Sequence, residues 1–300
     1  MAELESQPAD AMPESYPPEY QQSDGYPPNN TGLEEIPYGE SEDTVAKLAP
    51  DKSKWEIGTE VSCIKYKEPA VMREKGMMYG VTGSYTYNGN LPFTLKSEDN
   101  YSLKFEGRAA WGRVDYRNSG AIDDIKDYLL ELRLLGGYSY LLFNKIKFTP
   151  FAGLGYRYLN DDMSGRVSST NAYGYERESN YVYTPLGAEA SVNLKNNWVL
   201  GLSGEYDIFW YGRQISRLSD VDPGYNDIRN QQRKGKGIRG SLKLQKRLPG
   251  YDVSLEPFVR YWSIKRSNDG DWTYYGTLIG YGVEPKNNST EVGCKLAVGF

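Results

Sequence analysis

Glu205 and Asp207 stand two residues apart in a stretch that alternates apolar and polar residues, so an extended backbone puts both carboxylates on one face. Paired carboxylates divide the work of general acid and general base when their surroundings separate their pKa values. Asp161-Asp162 and Asp123-Asp124 are further pairs, read here as loop residues. The sequence has no histidine. This removes the usual acid/base group of neutral pH and a common metal ligand, and lowers the expectation of catalysis generally. No Gly-rich phosphate loop, metal-ligand cluster or stacked nucleic-acid platform accompanies the carboxylates, so no cofactor, metal or nucleic acid is expected. The same residues suit buried ion pairs, and the two readings, a carboxylate hydrolase and a structural network, both stand at this point.

What would position these groups is a set of strands. From about residue 54 onward, apolar and polar residues alternate with the period of two that strands impose. Leu103, Phe105, Gly107, Ala109 and Trp111 oppose Lys104, Glu106 and Arg108; Trp198, Leu200, Leu202, Tyr206 and Ile208 oppose Ser203, Glu205 and Asp207. A soluble sandwich or barrel would bury the apolar face. A transmembrane barrel inverts this, with lipid on the apolar face and charges in the lumen. Inversion is favoured by the small residues Gly107, Ala109, Gly136, Ala152, Ala188 and Ala190 on the apolar faces. It is favoured also by the 27 tyrosines, which crowd near strand ends as interfacial girdles do. No run of eighteen apolar residues exists, so a transmembrane helix is not expected.

The pattern predicts an all-β, antiparallel transmembrane β-barrel of about ten strands over residues 53–300, preceded by a disordered, acidic, Pro-rich tail over residues 1–52. The predicted strands are roughly 54–67, 76–88, 101–116, 128–142, 146–159, 180–194, 198–211, 236–247, 252–266 and 289–300. Connections after the even strands are mostly tight turns, and those after the odd strands are mostly long, polar and tyrosine-rich. Residues 1–50 carry a net charge of −10 and half of the 16 prolines, whereas the remainder carries +5. Such a tail reads either as a solvated spacer or as a docking segment for a basic or proline-binding partner.

Strand parity turns a specific charge set inward: Glu60, Glu106, Glu131, Glu189, Glu205, Asp207, Glu256 and Glu291 against Arg108, Arg133, Arg157, Arg239, Lys243, Arg260 and Lys295. Near-balance of acids and bases in a lumen this narrow points to an interlocked plug. A small porin-like channel for ions or small solutes is the alternative. Cys63 and Cys294 fall in the outward class on the first and last strands, where they are either a disulfide across the closing seam or two small residues facing lipid. Arg229, Arg233, Lys234 and Lys236 form a basic stretch in the fourth long loop, suited to an anionic surface or simply to solvent.

The region from about Trp55 to Phe300 resembles a Gram-negative outer-membrane β-barrel of the small OmpA/omptin-like class, with the subfamily open. The last strand, through Val292, Cys294, Leu296, Val298 and Phe300, resembles the signal such proteins present to the barrel-assembly machinery. Ten strands resembles the omptin proteases and certain ten-stranded adhesins, but omptins work with a histidine beside aspartates, and its absence here sets aside a catalytic omptin. The resemblance implies the cell outer membrane, with outer-membrane lipid, lipopolysaccharide and the assembly machinery as partners. It also implies extracellular long loops and a periplasmic tail open to a periplasmic partner. Met1 to Pro50 lacks the basic start and apolar core of a signal peptide, so a mature or trimmed form is expected. The expected role is non-enzymatic, structural or in surface interaction and adhesion.

Overall fold

In the computed structural model, residues 52–89 and 100–300 are described. The tail expected over residues 1–52 lies outside them but for Lys52, as does most of the connection between Asn88 and Asn100. Fourteen strands follow in chain order. They are β1 (Ser53–Glu68), β2 (Met72–Asn88), β3 (Tyr101–Arg117), β4 (Ile122–Tyr138), β5 (Tyr140–Leu142), β6 (Ile146–Asp162) and β7 (Glu176–Asn193), followed by β8 (Trp198–Ser216), β9 (Ile228–Gln232), β10 (Gly235–Leu248), β11 (Tyr251–Ile264), β12 (Gly270–Tyr274), β13 (Thr277–Gly282) and β14 (Asn287–Gly299).

Ten of these close into an antiparallel barrel. The order is β1, β2, β3, β4, β6, β7, β8, β10, β11, β14, with β14 returning to β1. Trp55 and Phe300 exchange backbone hydrogen bonds at the seam, at 3.0 Å and 2.8 Å. Closure leaves the barrel wall without a free edge, the arrangement that lets strands stand in hydrocarbon.

Alternation sorts the side chains as the sequence implies. Outward positions carry Trp55, Ile57, Val61, Tyr79, Val81, Leu103, Phe105, Trp111, Leu132, Leu154, Leu202, Leu255 and Leu296, all exposed. Bulky apolar side chains around the whole circumference make a band that water solvates poorly and lipid solvates well.

The two rims differ. At one, chain reversal takes two residues in the left-handed region: Phe143 and Asn144, both at φ 53°, and Asn196 and Asn197, at 58° and 61°. That backbone twist matches the twist of paired strands, and asparagine adopts it at little cost. At the other rim the strands outrun the apolar band. β4 begins at Ile122 rather than near 128, β7 at Glu176 rather than near 180, and β8 runs to Ser216 rather than 211. Asp161, Asp162, Asp123 and Asp124, expected in loops, therefore lie on strands β6 and β4. The stretch expected as the last long loop folds into the β12–β13 hairpin, and β9 pairs with the extended end of β8.

The seam disulfide does not form. Cys63 lies opposite Val292 and Cys294 opposite Val61, so the cysteines are diagonal neighbours, and both are free thiols. Diagonal positions on paired strands are about 7–8 Å apart, too far for a bridge without backbone movement.

The charged lumen as candidate functional site

Charged side chains on the inward parity meet one another inside the barrel, while toward the long-loop rim the alternation slips at register shifts in the β7–β8 and β3–β4 pairings. The central layer is built on three arginines. Arg108 of β3 meets Glu60 at 2.9 Å, Glu291 at 2.5 Å and Glu131 at 3.6 Å. Arg260 of β11 meets the same Glu60 and Glu291 from the other side, at 3.1 Å and 3.3 Å. Arg239 of β10 joins Glu131 at 2.6 Å, Glu205 at 3.1 Å and Asp207 at 2.9 Å. Arg133 links Glu205 to Glu106, the latter at 2.9 Å. The Tyr183 hydroxyl donates to Glu131 at 2.8 Å, and Ser62 to Glu291 at 2.8 Å. Strands on opposite walls are thus tied through shared carboxylates.

This layer is closed. Asp207 is 0% exposed, Glu131 2%, and Glu60 and Glu291 4% each. Lumenal groups of an open pore would touch water, and these four carboxylates scarcely do. Two inward glycines help to close it: a Cβ on Gly155 would fall 2.2 Å from the Tyr183 ring, and one on Gly237 2.4 Å from the Asp207 carboxylate. Arg157, the remaining central cation, has its guanidinium 5.7 Å from the centre of the Trp262 ring.

Toward the short-turn rim the lumen opens into a vestibule. Lys104 meets Glu106 at 2.7 Å and Glu189 at 3.6 Å; Lys295 meets Glu56 at 3.1 Å and Glu256 at 2.7 Å; Lys243 pairs with Glu56. Here the Glu189 side chain is 50% exposed. Glu56 shares the parity of Glu60, and Lys104 that of Glu106, so both belong with the inward set although neither is among the positions named in it.

Toward the long-loop rim the filling turns apolar and then charged again. Ile64, Met78, Val114, Ile125, Leu129 and Leu159 pack inside one half, and Tyr181, Phe209, Trp262 and Ile264 inside the other. Above them Arg177 clamps Glu68 and Glu284, the latter at 3.0 Å, while Tyr66 donates to Glu284 at 2.8 Å. Glu284 belongs to the loop between β13 and β14; burial raises its carboxyl above the usual carboxylate range, against the pull of Arg177. Asp127 and Asp161 are register partners on β4 and β6, both buried, and the Asp161 carboxyl lies against that of Glu74. Glu74, also buried, leaves Oε1 unpartnered.

As catalytic equipment the Glu205 and Asp207 pair is poorly placed. Both are ion-paired to Arg239, and the complete burial of Asp207 keeps substrate from it. Among the described residues no group of side chains has the arrangement of a metal site.

No family model and no curated protein matches the sequence. Solved structures do. The outer membrane protease OmpT from Escherichia coli aligns with a TM-score of 0.56 at 10% identity, over 84% of this chain and 97% of OmpT. The fold is that of the outer-membrane β-barrels. Looser matches to this barrel are the translocator domain of the autotransporter NalP from Neisseria meningitidis and the toluene transporter TodX from Pseudomonas putida. NalP gives a TM-score of 0.41 at 13% identity over 85% of this chain and 90% of its own; TodX gives 0.34 at 12% over 86% and 92%.

The other positions named from sequence fall on the outside of this barrel. Val292, Cys294, Leu296 and Val298 line the lipid side of β14, and Phe300 is exposed at the seam. Arg229, Arg233, Lys234 and Lys236 are all exposed around β9 and the start of β10, with Arg233 stacked 4.8 Å from the centre of the Tyr211 ring.

Proposed function

We propose that this protein is a non-enzymatic outer-membrane barrel whose lumen is sealed by its ion-pair lattice and whose work is done by the long loops, in structural or adhesive contacts at the cell surface. The observation that carries the reading is the near-zero exposure of the central carboxylates, from Asp207 to Glu291. In this reading the long loops are extracellular, the 1–52 tail is periplasmic and free to meet a periplasmic partner, and β14 is presented to the assembly machinery. Arg229, Arg233, Lys234 and Lys236 face anionic groups outside.

The β12–β13 hairpin supports a contact role. Tyr275 and Tyr281 are 77% and 65% exposed, and Leu278 and Ile279 are exposed beside them. Large apolar side chains held in water on a protruding hairpin favour burial against a partner. The hairpin is braced from the fourth loop, where Tyr225 packs on Trp272 and Tyr274.

Planar-bilayer recording of the refolded chain tests the reading: the expected record is a silent membrane, and a steady ohmic current would overturn the seal. A small channel is the second reading, favoured by the open vestibule around Glu189; it predicts that current. A hydrolase at the membrane surface is the third, and it requires that Glu205→Gln and Asp207→Asn abolish a turnover on lipid or peptide substrates.

A further inference from the structure

The outer wall carries a charge pattern that the fold itself does not balance. On β1 and β2, just beyond the apolar band on the long-loop side, Lys65 lies directly opposite Lys75, and Lys67 directly opposite Arg73. Arg73 in turn lies opposite Arg117 of β3. Lys65, Lys67, Arg73 and Lys75 are all exposed, and none has a carboxylate within ion-pair distance among the described residues. On the β14 side the neighbours of Lys65 and Lys67 are the neutral Thr290 and Asn288. On the β3 side Asp115 lies opposite Lys75, but its carboxylate is turned to Arg117 at 3.8 Å and to the Asp124 amide at 3.1 Å. Like charges directly opposite on paired strands destabilise the pair. A sequence free to place acids here, as it does everywhere in the lumen, leaves four cations facing one another.

The position says what neutralises them. The next outward pair below Lys65 and Lys75 is Cys63 and Met77, and below that stand Val61 and Tyr79, with Trp111 beside them on β3. Two residues along a strand are about 6.6 Å, which sets the ammonium and guanidinium groups at headgroup height directly above the acyl region. The array lies on the outer wall, spread over the adjoining strands β1 and β2. Its ligand must therefore be anchored in the lipid alongside the barrel.

We propose that Lys65, Lys67, Arg73 and Lys75 form a docking site for the phosphate groups of a lipopolysaccharide molecule in the outer leaflet. The site rests on the reading that the long loops are extracellular. It is separate from the stretch Arg229 to Lys236, which lies across β8 to β10. Several phosphates on one headgroup match several cations spread over two strands, and each contact is a charge-assisted hydrogen bond.

The full chain, refolded in a neutral detergent, is titrated with diphosphoryl lipid A, its dephosphorylated form, phosphatidylglycerol and inorganic phosphate, reading tryptophan fluorescence and the rise in unfolding temperature. The wild type is expected to bind diphosphoryl lipid A at least tenfold more tightly than the other three, with an affinity that falls as salt rises. The variant Lys65→Gln/Lys67→Gln/Arg73→Gln/Lys75→Gln is expected to lose at least tenfold of that affinity, and Lys145→Gln/Lys195→Gln, in exposed turns at the opposite rim, to keep it. Equal binding by wild type and the first variant, or equal binding of phosphorylated and dephosphorylated lipid A, overturns the proposal. So does a stronger response to phosphatidylglycerol or free phosphate. Should the fourfold variant not fold, Lys75→Gln alone must flatten the salt dependence, and an unchanged slope counts against the site. Protease accessibility of the loops on whole cells reports the orientation separately: loops cut only from the periplasm would remove the underlying reading while leaving the lipid titration to stand or fall alone.

Discussion

The same strands carry charge on both faces, and the two faces treat it oppositely. Inside, Arg108, Arg239 and Arg260 each reach at least two carboxylates, and of those carboxylates Glu60, Glu131, Glu205 and Glu291 are shared by a second cation or a hydroxyl. Outside, Lys65, Lys67, Arg73 and Lys75 confront one another. The difference follows from what surrounds each face. An unpaired charge in a sealed lumen has no water to solvate it and must find its counter-charge within the protein. A charge at the lipid headgroup level has solvent and phosphates at hand, so the sequence can leave it uncompensated. In the central layer, local charge balance therefore goes with isolation from solvent.

The contrast breaks most visibly at Arg239. Arg239→Met leaves Glu131, Glu205 and Asp207 buried without their common cation, and the folded barrel in detergent should lose about 3–5 kcal/mol in urea unfolding. An unchanged midpoint would mean that water enters the central layer after all. A smaller effect of opposite sign is expected from Asp161→Asn, where one of two adjoining buried carboxyls, Asp161 beside Glu74, is exchanged for a neutral amide. The gain should be about 1–2 kcal/mol, read from the same unfolding curve, by the cost of holding two acids side by side in a buried site. On the outer face, Lys75→Gln relieves an opposed like-charge pair and should stabilise the lipid-free barrel by about 0.2–1 kcal/mol, with the gain vanishing in high salt.

The smallest effect concerns pH. The Glu284 carboxyl has a folded-state pKa raised by burial, so its ionised form burdens the fold above that pKa. Stability rises as pH falls through the folded pKa and is fully gained below the unfolded value. Glu284→Gln should lack this part of the acid-side gain, so the wild-type and variant unfolding midpoints should converge on acidification and separate toward neutral pH.

Much of this was written in the alternation. Because a strand's period is two and lipid accepts only apolar side chains, residues such as Leu103, Phe105 and Trp111 fix which face of β3 points outward, and Lys104, Glu106 and Arg108 follow inward. The same signal fails where lipid ends. Beyond the band the outer face turns polar and the inner face mixes Ile122 and Ile125 with acids, so the extensions of β4, β6 and β7 give no regular apolar alternation to place Asp127, Asp161 and Arg177 in the lumen. Glu284 sits in a loop with no period to read. Cys63 and Cys294 show a different limit: parity assigns a face but not a register, and a two-residue offset separates a possible bridge from two free thiols.

The seam between Trp55 and Phe300 also has a kinetic side. β1 finds its second neighbour only in β14, more than two hundred residues along the chain, and β11 likewise awaits β14 on its far edge. During synthesis both edges stay open while every other pairing is already available, and open edges invite pairing with foreign strands. A contact this distant is slow to form unaided. The last strand thus acts as a single zipper tooth on which the rest of the wall depends, and truncating β14 should yield aggregates rather than a nine-stranded barrel.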